Sequence, residues 1–324
     1  MKPAFPKVSV LLPVRDGEPF FAEALQSILT QQGVDFEIVV IDDGSSDGTT
    51  ERLSACKDPR LIVIRREGDG LVAALNCALA AARGDYIARM DADDVTLPGR
   101  LFRQAEFLDA NPAFAMVHCS VRIIDAAGNG SYRLAAMPCS SKQRLAILLD
   151  ECPGGPIIHP SVMMRRAALL EAGGYRNSPA CEDHELWLRV VDEWQISALP
   201  EVLLHYRQHA AGISRERMVE QSISHITNAC AYRYRQVSGI DLIDQVPAAY
   251  AVLRALVAER ATPMLEQMTL AKIVRREFRQ RNWEEACGAC VRLTKLNGLA
   301  LLSNRVVRRR MLALQLDVLA CFTK

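Results

Sequence analysis

Three carboxylates stand within four positions of the chain, at Asp91, Asp93 and Asp94. They follow an apolar run at residues 86–90 that is typical of a short buried strand, and a helical pattern over residues 99–110 comes next. In open α/β sheets ligands bind at the carboxyl ends of the strands, where this motif would lie. Carboxylates crowded there favour a cation, and oxygen ligands suit Mg²⁺ or Mn²⁺, which bind phosphates. An acidic helix N-terminus, stabilised by the helix dipole, is the competing interpretation.

A second acidic strand end precedes this motif. The nearly continuous apolar run at residues 36–41 predicts a strand buried on both faces, and Asp42 and Asp43 follow it directly. Their carboxylates can accept hydrogen bonds from the base or ribose of a nucleotide, both of which present donors. A turn rich in glycine, serine and aspartate is the stronger competing explanation. A calcium loop is excluded, because Ser54 stands where the bidentate glutamate of an EF-hand belongs.

Residues 68–73 match a G-x-G-x-x-A dinucleotide fingerprint that follows one predicted strand and opens a helix, with Asp91 at the end of the next strand. This match makes an NAD-dependent oxidoreductase an alternative function. Two observations weigh against it. The fingerprint would fall on the third strand instead of the first, and a ribose contact by Asp91 does not explain the two further acids that follow.

Two later stretches also carry candidate chemistry. Glu182, Asp183 and Glu185 form an acidic patch near the start of a predicted helix, where either the helix dipole or a general base on a rigid element explains them. Residues 205–209 gather two histidines, a tyrosine and an arginine after a predicted strand at residues 195–204. Such a cluster is suited to contact phosphate or a metal.

The elements that must position these residues alternate along the first third of the chain. Strands are predicted at residues 8–12 (stopped by Pro13), 36–41, 61–64 and 86–90, and helices at 18–32, 50–55, 70–82 and 99–110. This alternation predicts an α/β fold with a doubly wound, mostly parallel sheet flanked by helices, in which both acidic strand ends face one rim. Further strands are predicted at 115–124 and 157–164, and the Gly-Gly-Tyr at 173–175 closes a short helix.

From residue 214 onward the pattern changes to helices, predicted at 215–236, 247–260, 263–281, 283–295 and 298–320. We therefore predict two domains, an α/β domain over residues 1–213 and an all-α C-terminal extension over residues 214–324. Arg305, Arg308, Arg309 and Arg310 are interleaved with apolar residues. A solvated helix face explains them, and attachment to an anionic membrane surface is the alternative.

Composition narrows the class of protein. Of the 324 residues 50% are hydrophobic and 24% charged, which is typical of a globular chain, and a net charge of +1 gives no nucleic-acid signal. The ten cysteines are scattered, and the one C-x-x-C pair, Cys287 with Cys290, favours core packing over a zinc site. The N-terminus has no long apolar region, and no apolar run approaches the ~20 residues that span a bilayer. We expect a cytoplasmic protein with reduced thiols.

Taken in order, these motifs resemble glycosyltransferase family 2, whose members have the GT-A fold. The resemblance covers residues 7–214 and rests on Val-Leu-Leu-Pro-Val at 10–14, Asp-Asp-Gly-Ser-Ser-Asp-Gly-Thr at 42–49, Asp-Ala-Asp-Asp at 91–94, Gly-Gly-Tyr at 173–175, Glu-Asp with Leu-Trp within 182–187, and Tyr-Arg-Gln-His at 206–209. It implies an inverting transfer of a sugar from a nucleoside-diphosphate donor, with uridine as the family-level expectation, in the presence of Mn²⁺ or Mg²⁺. The implied acceptor is a hydroxyl group of a glycan, of a lipid-linked molecule or of another molecule, as in polysaccharide assembly. The implied location is the cytoplasm, with peripheral contact at the inner face of the membrane as the alternative.

The resemblance also implies roles for single residues. Asp93 would hold the metal together with His209, and Asp183 would be the catalytic base, with Glu182 as its nearest rival. The nucleotide pocket would be lined by Pro13, Val14, Arg15, Glu18, Asp42, Asp43, Gly70, Asn76, Asp91 and Ala92. The acceptor and donor-sugar region would contain Asp94, His159, Gly174, Tyr175, Trp187 and Arg207.

Two positions depart from the family pattern. Arg15 stands where the family usually has an aromatic or similar residue, and Ala-Leu-Asn at 74–76 stands where the family commonly has Ala-Arg-Asn. Donor sugar and acceptor depend on the loops at residues 125–141 and 150–159, whose shapes the sequence does not predict. A non-catalytic nucleotide-sugar-binding or scaffold protein is a further alternative to the enzyme.

Overall fold

The computed structural model describes residues 5–136, 157–209, 218–280 and 304–322, which form two compact units. The first unit comprises residues 5–136, 157–177 and 186–209, and the second comprises 178–185, 218–280 and 304–322. One helix, Glu182–Glu193, therefore begins in the second unit and ends in the first. The domain boundary at residues 213/214 stays a prediction.

The first part of the first unit alternates between strands and helices as predicted. The elements in order are β1 (Val8–Val14), α1 (Phe21–Leu29), β2 (Phe36–Asp42), α2 (Thr49–Ala55), β3 (Leu61–Arg65), α3 (Leu71–Ala81) and β4 (Tyr86–Arg89). The strands β3, β2, β1 and β4 are neighbours in that order, and all three pairings are parallel. Every residue of β1 and β2 is buried, which explains why both strands are mostly apolar.

The second part of the unit extends the same sheet with strands of both directions. Its elements are β5 (Val95–Thr96), α4 (Arg100–Ala110), β6 (Phe114–Ile124), β7 (Gly130–Leu134), a 3₁₀ turn (His159–Ser161), β8 (Val162–Arg165), α5 (Arg166–Glu171), α6 (Glu182–Glu193) and β9 (Gln195–Arg207). The full strand order is β3-β2-β1-β4-β8-β6-β9-β5, with β7 beside β6. Strand β8 is antiparallel to β4 and β6, whereas β6 and β9 are parallel, so the sheet is mixed.

Three predicted strands have different bounds in the structure. Strand β1 continues through Pro13, because β4 pairs only with residues 8–11 of β1 and a residue without an N–H is tolerated beyond that pairing. The strand predicted at 157–164 begins only at Val162, since Pro160 lies in a 3₁₀ turn. The residues 205–207, predicted to follow a strand, belong to β9 itself.

The second unit contains four described helices, α7 (Met218–Ser238), α8 (Leu242–Gln245), α9 (Pro247–Gln280) and α10 (Asn304–Phe322). The separate helices predicted at 247–260 and 263–281 are one helix, with Pro263 inside it. Leu253, Val257, Ala261 and Leu265 recur at four-residue intervals and are at most 2% exposed. Burial of this continuous apolar stripe offsets the hydrogen bond that the proline removes.

Several predictions concern residues outside the described parts of the chain. These are the Cys287 and Cys290 pair, the helix at 283–295, and the parts of the two loops at 137–141 and 150–156. Arg305, Arg308, Arg309 and Arg310 lie in α10, but their side chains are outside the description. Within the described residues, no helix combines the length and the apolar character that crossing a membrane requires.

Candidate active site

The acidic motif lies at the end of β4, as predicted. Strand pairing continues to the amide of Met90, which donates a hydrogen bond to the carbonyl of Leu11 at 3.1 Å, and the chain then leaves the sheet. Asp91, Asp93 and Asp94 each offer a ligand atom, and these atoms all lie within 4.8 Å of one another. The spacing of the acids in the sequence therefore becomes a compact carboxylate cluster. Ala92, between them, packs partly buried against the apolar core.

Burial and the mutual repulsion of the carboxylates favour binding of a positive charge by this cluster. Asp94 is fully buried; one carboxylate oxygen accepts the amide N–H of Arg207 at 2.8 Å, and the other has no hydrogen-bond partner among the described residues. Burial, followed by the charges of Asp91 and Asp93, holds the pKa of Asp94 well above its usual range. Burial also raises the pKa of Asp91, although Arg89 forms an ion pair with it.

A histidine adds a nitrogen to this group of oxygens. His209 Nε2 lies 2.9 Å from the Oδ2 atom of Asp93, and the imidazole packs against the ring of Phe20 at a centroid distance of 4.7 Å. The two residues predicted to hold the metal are therefore adjacent. Three carboxylates and an imidazole fit a divalent cation that prefers oxygen ligands, and one buried oxygen of Asp94 has no partner within the described part of the chain.

Arg207 holds the acidic loop at residues 91–94 in place through hydrogen bonds. Its side chain is only 2% exposed. The guanidinium donates to the carbonyl of Asp93 at 2.7 Å and to the carboxylate of Glu23 on α1 at 2.6 Å, and it stacks over the ring of Phe20. We predicted that Arg207 contacts a sugar. The buried guanidinium makes these contacts within the chain itself, and its role toward a sugar stays a prediction.

Asp42, at the end of β2, is likewise used internally. Its carboxylate accepts hydrogen bonds from the Ser45 amide at 2.9 Å and from the Thr50 hydroxyl at 2.7 Å, and it is 1% exposed. Burial alone would raise its pKa, but these hydrogen bonds outweigh burial, so the pKa of Asp42 is lowered. Asp42 thus shapes the turn, and its predicted contact with a nucleotide stays a prediction.

Asp43 joins the second strand end to the glycine-rich turn that precedes α3. Its two carboxylate oxygens accept the amide N–H groups of Asp69 at 3.0 Å and Gly70 at 2.8 Å. Gly68 and Gly70 both have positive φ angles, of 94° and 91°, which glycine adopts without strain. The turn that suggested a dinucleotide fingerprint is therefore bound to Asp43. Nucleotide contacts by Asp43 and Gly70 stay predictions.

The loop after β1 is tied to the turn after β2. The amide of Glu18 donates to the Asp47 carboxylate at 2.9 Å, and the Glu18 carboxylate accepts from Arg52 Nε at 2.6 Å. Pro13 and Val14 are buried at the end of β1, whereas Arg15 is exposed at the surface. Among these four predicted nucleotide-binding residues, Arg15 is the most exposed.

The Gly-Gly-Tyr turn after α5 is held by a side chain predicted to bind nucleotide. The amide of Asn76 on α3 donates to the Tyr175 carbonyl at 2.7 Å and accepts the Tyr175 N–H at 2.9 Å. A Cβ atom on Gly174 would lie 2.8 Å from Asn76 Oδ1. This two-way contact ties α3 to the Gly-Gly-Tyr turn, and the nucleotide contact predicted for Asn76 stays a prediction.

Three residues of the predicted sugar region form an aromatic group. The Nε2 atom of His159 lies 3.1 Å from the Tyr175 hydroxyl, and Trp187 packs edge-on against the imidazole at a centroid distance of 5.7 Å. Burial and the nearby charge of Arg89 hold the pKa of His159 well below its usual range, so the ring is neutral. Trp187 is 1% exposed and belongs to the core, and its predicted contact with a sugar stays a prediction.

The predicted base lies in the second unit, in the segment that opens α6. Asp183 is partly exposed, and its Oδ1 atom accepts the amide N–H of His184 at 2.7 Å. Glu182, the rival carboxylate, is 9% exposed. Burial, together with the charges of Asp183 and Glu182, holds the pKa of the Cys181 thiol well above its usual range. The assignment of Asp183 as base stays a prediction.

Sequence reasoning missed two residues that support the cluster. Arg89 is 3% exposed on β4 and pairs with Asp91, and Glu23 of α1 pairs with Arg207. The sequence did contain a signal for Arg89. It is a charged residue in an otherwise apolar strand, two positions before the acids, and a buried cation requires a partner. Glu23 carries no such signal, because its role depends on the approach of α1 to β9.

The fold matches solved glycosyltransferases. The chain superposes on Staphylococcus aureus TarS 1-349 in complex with UDP-GlcNAc with a TM-score of 0.55 at 18% identity, over 87% of this chain and 90% of that one. It superposes on the mannosyltransferase PcManGT from Pyrobaculum calidifontis, solved with GDP-Man and Mn²⁺, with a TM-score of 0.55 at 19% identity, over 99% of this chain and 87% of that one. The GT-A fold with C-terminal helices is thereby confirmed.

Sequence comparison then identifies the family. The model of glycosyl transferase family 2 matches residues 9–173, about half of the chain, and the chain belongs to this family of enzymes. The putative glycosyltransferase EpsE of Bacillus subtilis is 33% identical over 219 residues, which cover 65% of this chain and 76% of the relative. The O-antigen biosynthesis glycosyltransferase WbnJ of Escherichia coli is 31% identical over 212 residues, or 62% and 80% of the two chains. The family match includes the turn at residues 68–73 and replaces the oxidoreductase alternative.

Proposed function

We propose that this glycosyltransferase is inverting and depends on a divalent metal, and that it moves a sugar from a nucleoside diphosphate to a hydroxyl of a glycan or lipid-linked acceptor. The observation that carries the metal dependence is the cluster of Asp91, Asp93 and Asp94 beside His209. Mn²⁺ is the metal proposed, in line with the Mn²⁺ named for PcManGT.

The donor is proposed to be a UDP-sugar. TarS was solved with UDP-GlcNAc and PcManGT with GDP-Man, so relatives of this fold bind donors with either base. WbnJ is named for O-antigen biosynthesis, which supports a glycan as acceptor. Contact with an anionic membrane through the arginines of α10 belongs to the same proposal and would bring the enzyme to lipid-linked acceptors.

The residues divide the reaction between them. Asp93 and His209 would hold the metal, which neutralises the charge that develops on the departing diphosphate. Asp91 and Asp94 add negative charge beside these ligands, and Arg207 fixes the backbone that carries Asp93. From the family resemblance we assign Asp183 as the base that removes the proton of the attacking hydroxyl. One in-line displacement then inverts the anomeric carbon without a carboxylate nucleophile.

The metal assignment is tested by calorimetric titration of Mn²⁺ into the protein with UDP present. Asp93→Asn removes a ligand charge and keeps the shape, so we expect Mn²⁺ affinity and sugar transfer to fall together by about two orders of magnitude. Asp85→Asn is the matched control, because Asp85 is an exposed acid of the same unit at the opposite end of β4. If Asp93→Asn binds Mn²⁺ as the wild type does, the metal site is assigned wrongly.

The base assignment is tested separately. Asp183→Asn should retain donor binding while kcat for transfer falls by about 100-fold or more. Glu182→Gln is the companion variant, since adjacent helical residues point ~100° apart and only one of the two carboxylates can serve. A dead Glu182→Gln variant beside an active Asp183→Asn variant would move the base to Glu182.

A further inference from the structure

One side chain of the helical unit holds the segment that precedes the predicted base. Asn228 lies on α7 and is 2% exposed. Its Oδ1 atom accepts hydrogen bonds from the Ser178 hydroxyl at 2.9 Å and from the Tyr250 hydroxyl at 2.7 Å, while its Nδ2 atom donates to the Cys181 carbonyl at 3.2 Å. A single amide therefore fixes the segment at two points, three residues apart, and is itself braced by α9.

This contact is one of three along the same face of α7. The carbonyl of Gln221 accepts from the Cys181 thiol at 3.7 Å, and the ring of His225 stacks on that of His184 at a centroid distance of 3.6 Å and an interplanar angle of 19°. Positions 221, 225 and 228 are spaced by four and three residues, so they share one side of the helix. That side of α7 therefore contacts the segment 178–184 at three positions.

The chemistry of the group suits a fixed support. The amide oxygen of an asparagine has two lone pairs, and both are used here, so with the bond from Nδ2 the amide can rotate only by giving up three hydrogen bonds. Burial raises the pKa of the Tyr250 hydroxyl to about 12, so this group remains a donor at any pH at which the enzyme would work. Ser178 is 1% exposed, so water cannot easily replace its bond to Asn228.

We propose that Asn228 is a positioning residue that sets the orientation of Asp183 through the Ser178–Cys181 turn. This inference rests on the proposed function of Asp183 as the base. Asp183 is two residues beyond Cys181, whose carbonyl Asn228 binds, and one residue before His184, whose ring rests on His225. The carboxylate is thus held on both sides along the chain. The helical extension supplies no reacting group, but it determines where the reacting group points.

The inference predicts a defect in turnover and not in donor binding. A base displaced by about 1 Å loses on the order of 100-fold in rate. The donor and metal ligands proposed above belong to the first unit, whereas Asn228 and its partners belong to the second. We therefore expect Asn228→Leu to lower kcat about 10- to 100-fold and to leave the KM for the donor sugar and the affinity for Mn²⁺ within about twofold of wild type.

The experiment combines transfer kinetics with hydrogen–deuterium exchange of the whole chain. In Asn228→Leu the amides of residues 178–185 should exchange faster, while those of β1 and β4 keep their protection. The matched control is Gln315→Leu, which removes a different buried contact of the helical unit, the bond from Arg233 Nε to Gln315 Oε1 at 3.1 Å. This variant should be destabilised to a similar extent while kcat stays near that of the wild type.

Tyr250→Phe provides a second test if Asn228→Leu does not fold. It removes one hydroxyl and keeps the ring, so we expect a loss of kcat of about threefold to tenfold, again with donor KM unchanged. Unchanged kcat and unchanged exchange at residues 178–185 in either folded variant would overturn the inference, as would an equal loss of kcat in Gln315→Leu. Asp183→Asn separates the two proposals: if it retains full transfer, the base is wrong, and if it is dead while Asn228→Leu is fully active, only the positioning role is wrong.

Discussion

Replacement of Arg207 tests whether the acidic cluster depends on an internal anchor. In Arg207→Met the buried stem is retained and the guanidinium is lost. The Asp93 carbonyl then loses a charged donor, which contributes about 2 kcal/mol, and the stacking over Phe20 at 4.7 Å contributes about 1 kcal/mol. The contact with Glu23 adds at most ~1 kcal/mol, because that carboxylate is 58% exposed.

The total, about 3 to 4 kcal/mol, corresponds to a fall in Tm of roughly 10 °C for a unit of this size. Thermal unfolding followed by circular dichroism measures it. We expect Arg207→Lys to lose about half as much, since lysine keeps the charge but not the fork of donors. The control is Arg103→Met, which removes the 2.9 Å pair with Glu201 at the surface, where Arg103 is 45% exposed, and should cost at most ~1 kcal/mol.

Metal binding provides the second measurement for the same variants. Groups that orient the ligands of a metal typically change its affinity by about 10- to 100-fold, so Mn²⁺ should bind more weakly to Arg207→Met by that factor. Arg103→Met should bind it normally. The reasoning is refuted if Arg207→Met melts and binds Mn²⁺ like the wild type, because a buried guanidinium with these contacts would then be dispensable.

Two further predictions concern stability. Gly173 and Gly174 both have positive φ angles, but only Gly174 would place a Cβ atom against Asn76. In chemical denaturation we therefore expect Gly174→Ala to lose more free energy of unfolding than Gly173→Ala, by about 1 to 3 kcal/mol. Equal losses in the two variants would contradict this prediction. For Glu37, burial would raise the pKa, but hydrogen bonds from Ser9 and Arg83 outweigh it and lower the pKa below 4.5. A lowered pKa in the folded state stabilises above the unfolded pKa and is lost as the pH falls through the folded value. Glu37→Gln should thus be less stable at pH 7 and should show a smaller loss of stability below pH ~4.5 than the wild type; parallel stability curves would contradict the assignment.

The sequence predicted the elements whose signal is local. The mostly apolar run of β2 and the acids after β4 are recognisable in the sequence because a strand buried on both faces is dominated by apolar residues. The family match confirmed the class of enzyme inferred from the order of the motifs. The mixed direction of the second part of the sheet was not predicted, since β8 and β9 are placed by pairing with residues far away in the chain.

The roles of polar side chains were harder to predict for the same reason. Asn76, Asp42 and Arg207 each make internal hydrogen bonds with groups that only the folded chain brings near, and the sequence did not predict these contacts. A motif fixes which residue types recur, but it does not distinguish a group that binds a ligand from one that holds the loop beside it. Internal contacts of this kind depend on the tertiary structure.

The contacts of the acidic loop also set the order in which the site can mature during synthesis. The amide that binds Asp94 belongs to Arg207, 113 residues later, and the imidazole beside Asp93 belongs to His209, 116 residues later. At about 5–20 residues per second, the ribosome completes the motif roughly 10 s before it makes these partners. A nascent chain that ends before β9 is finished carries all three acids without their anchors. Tight Mn²⁺ binding by a nascent chain would therefore indicate that β9 has joined the folded first unit, and not merely that the acidic motif has been translated.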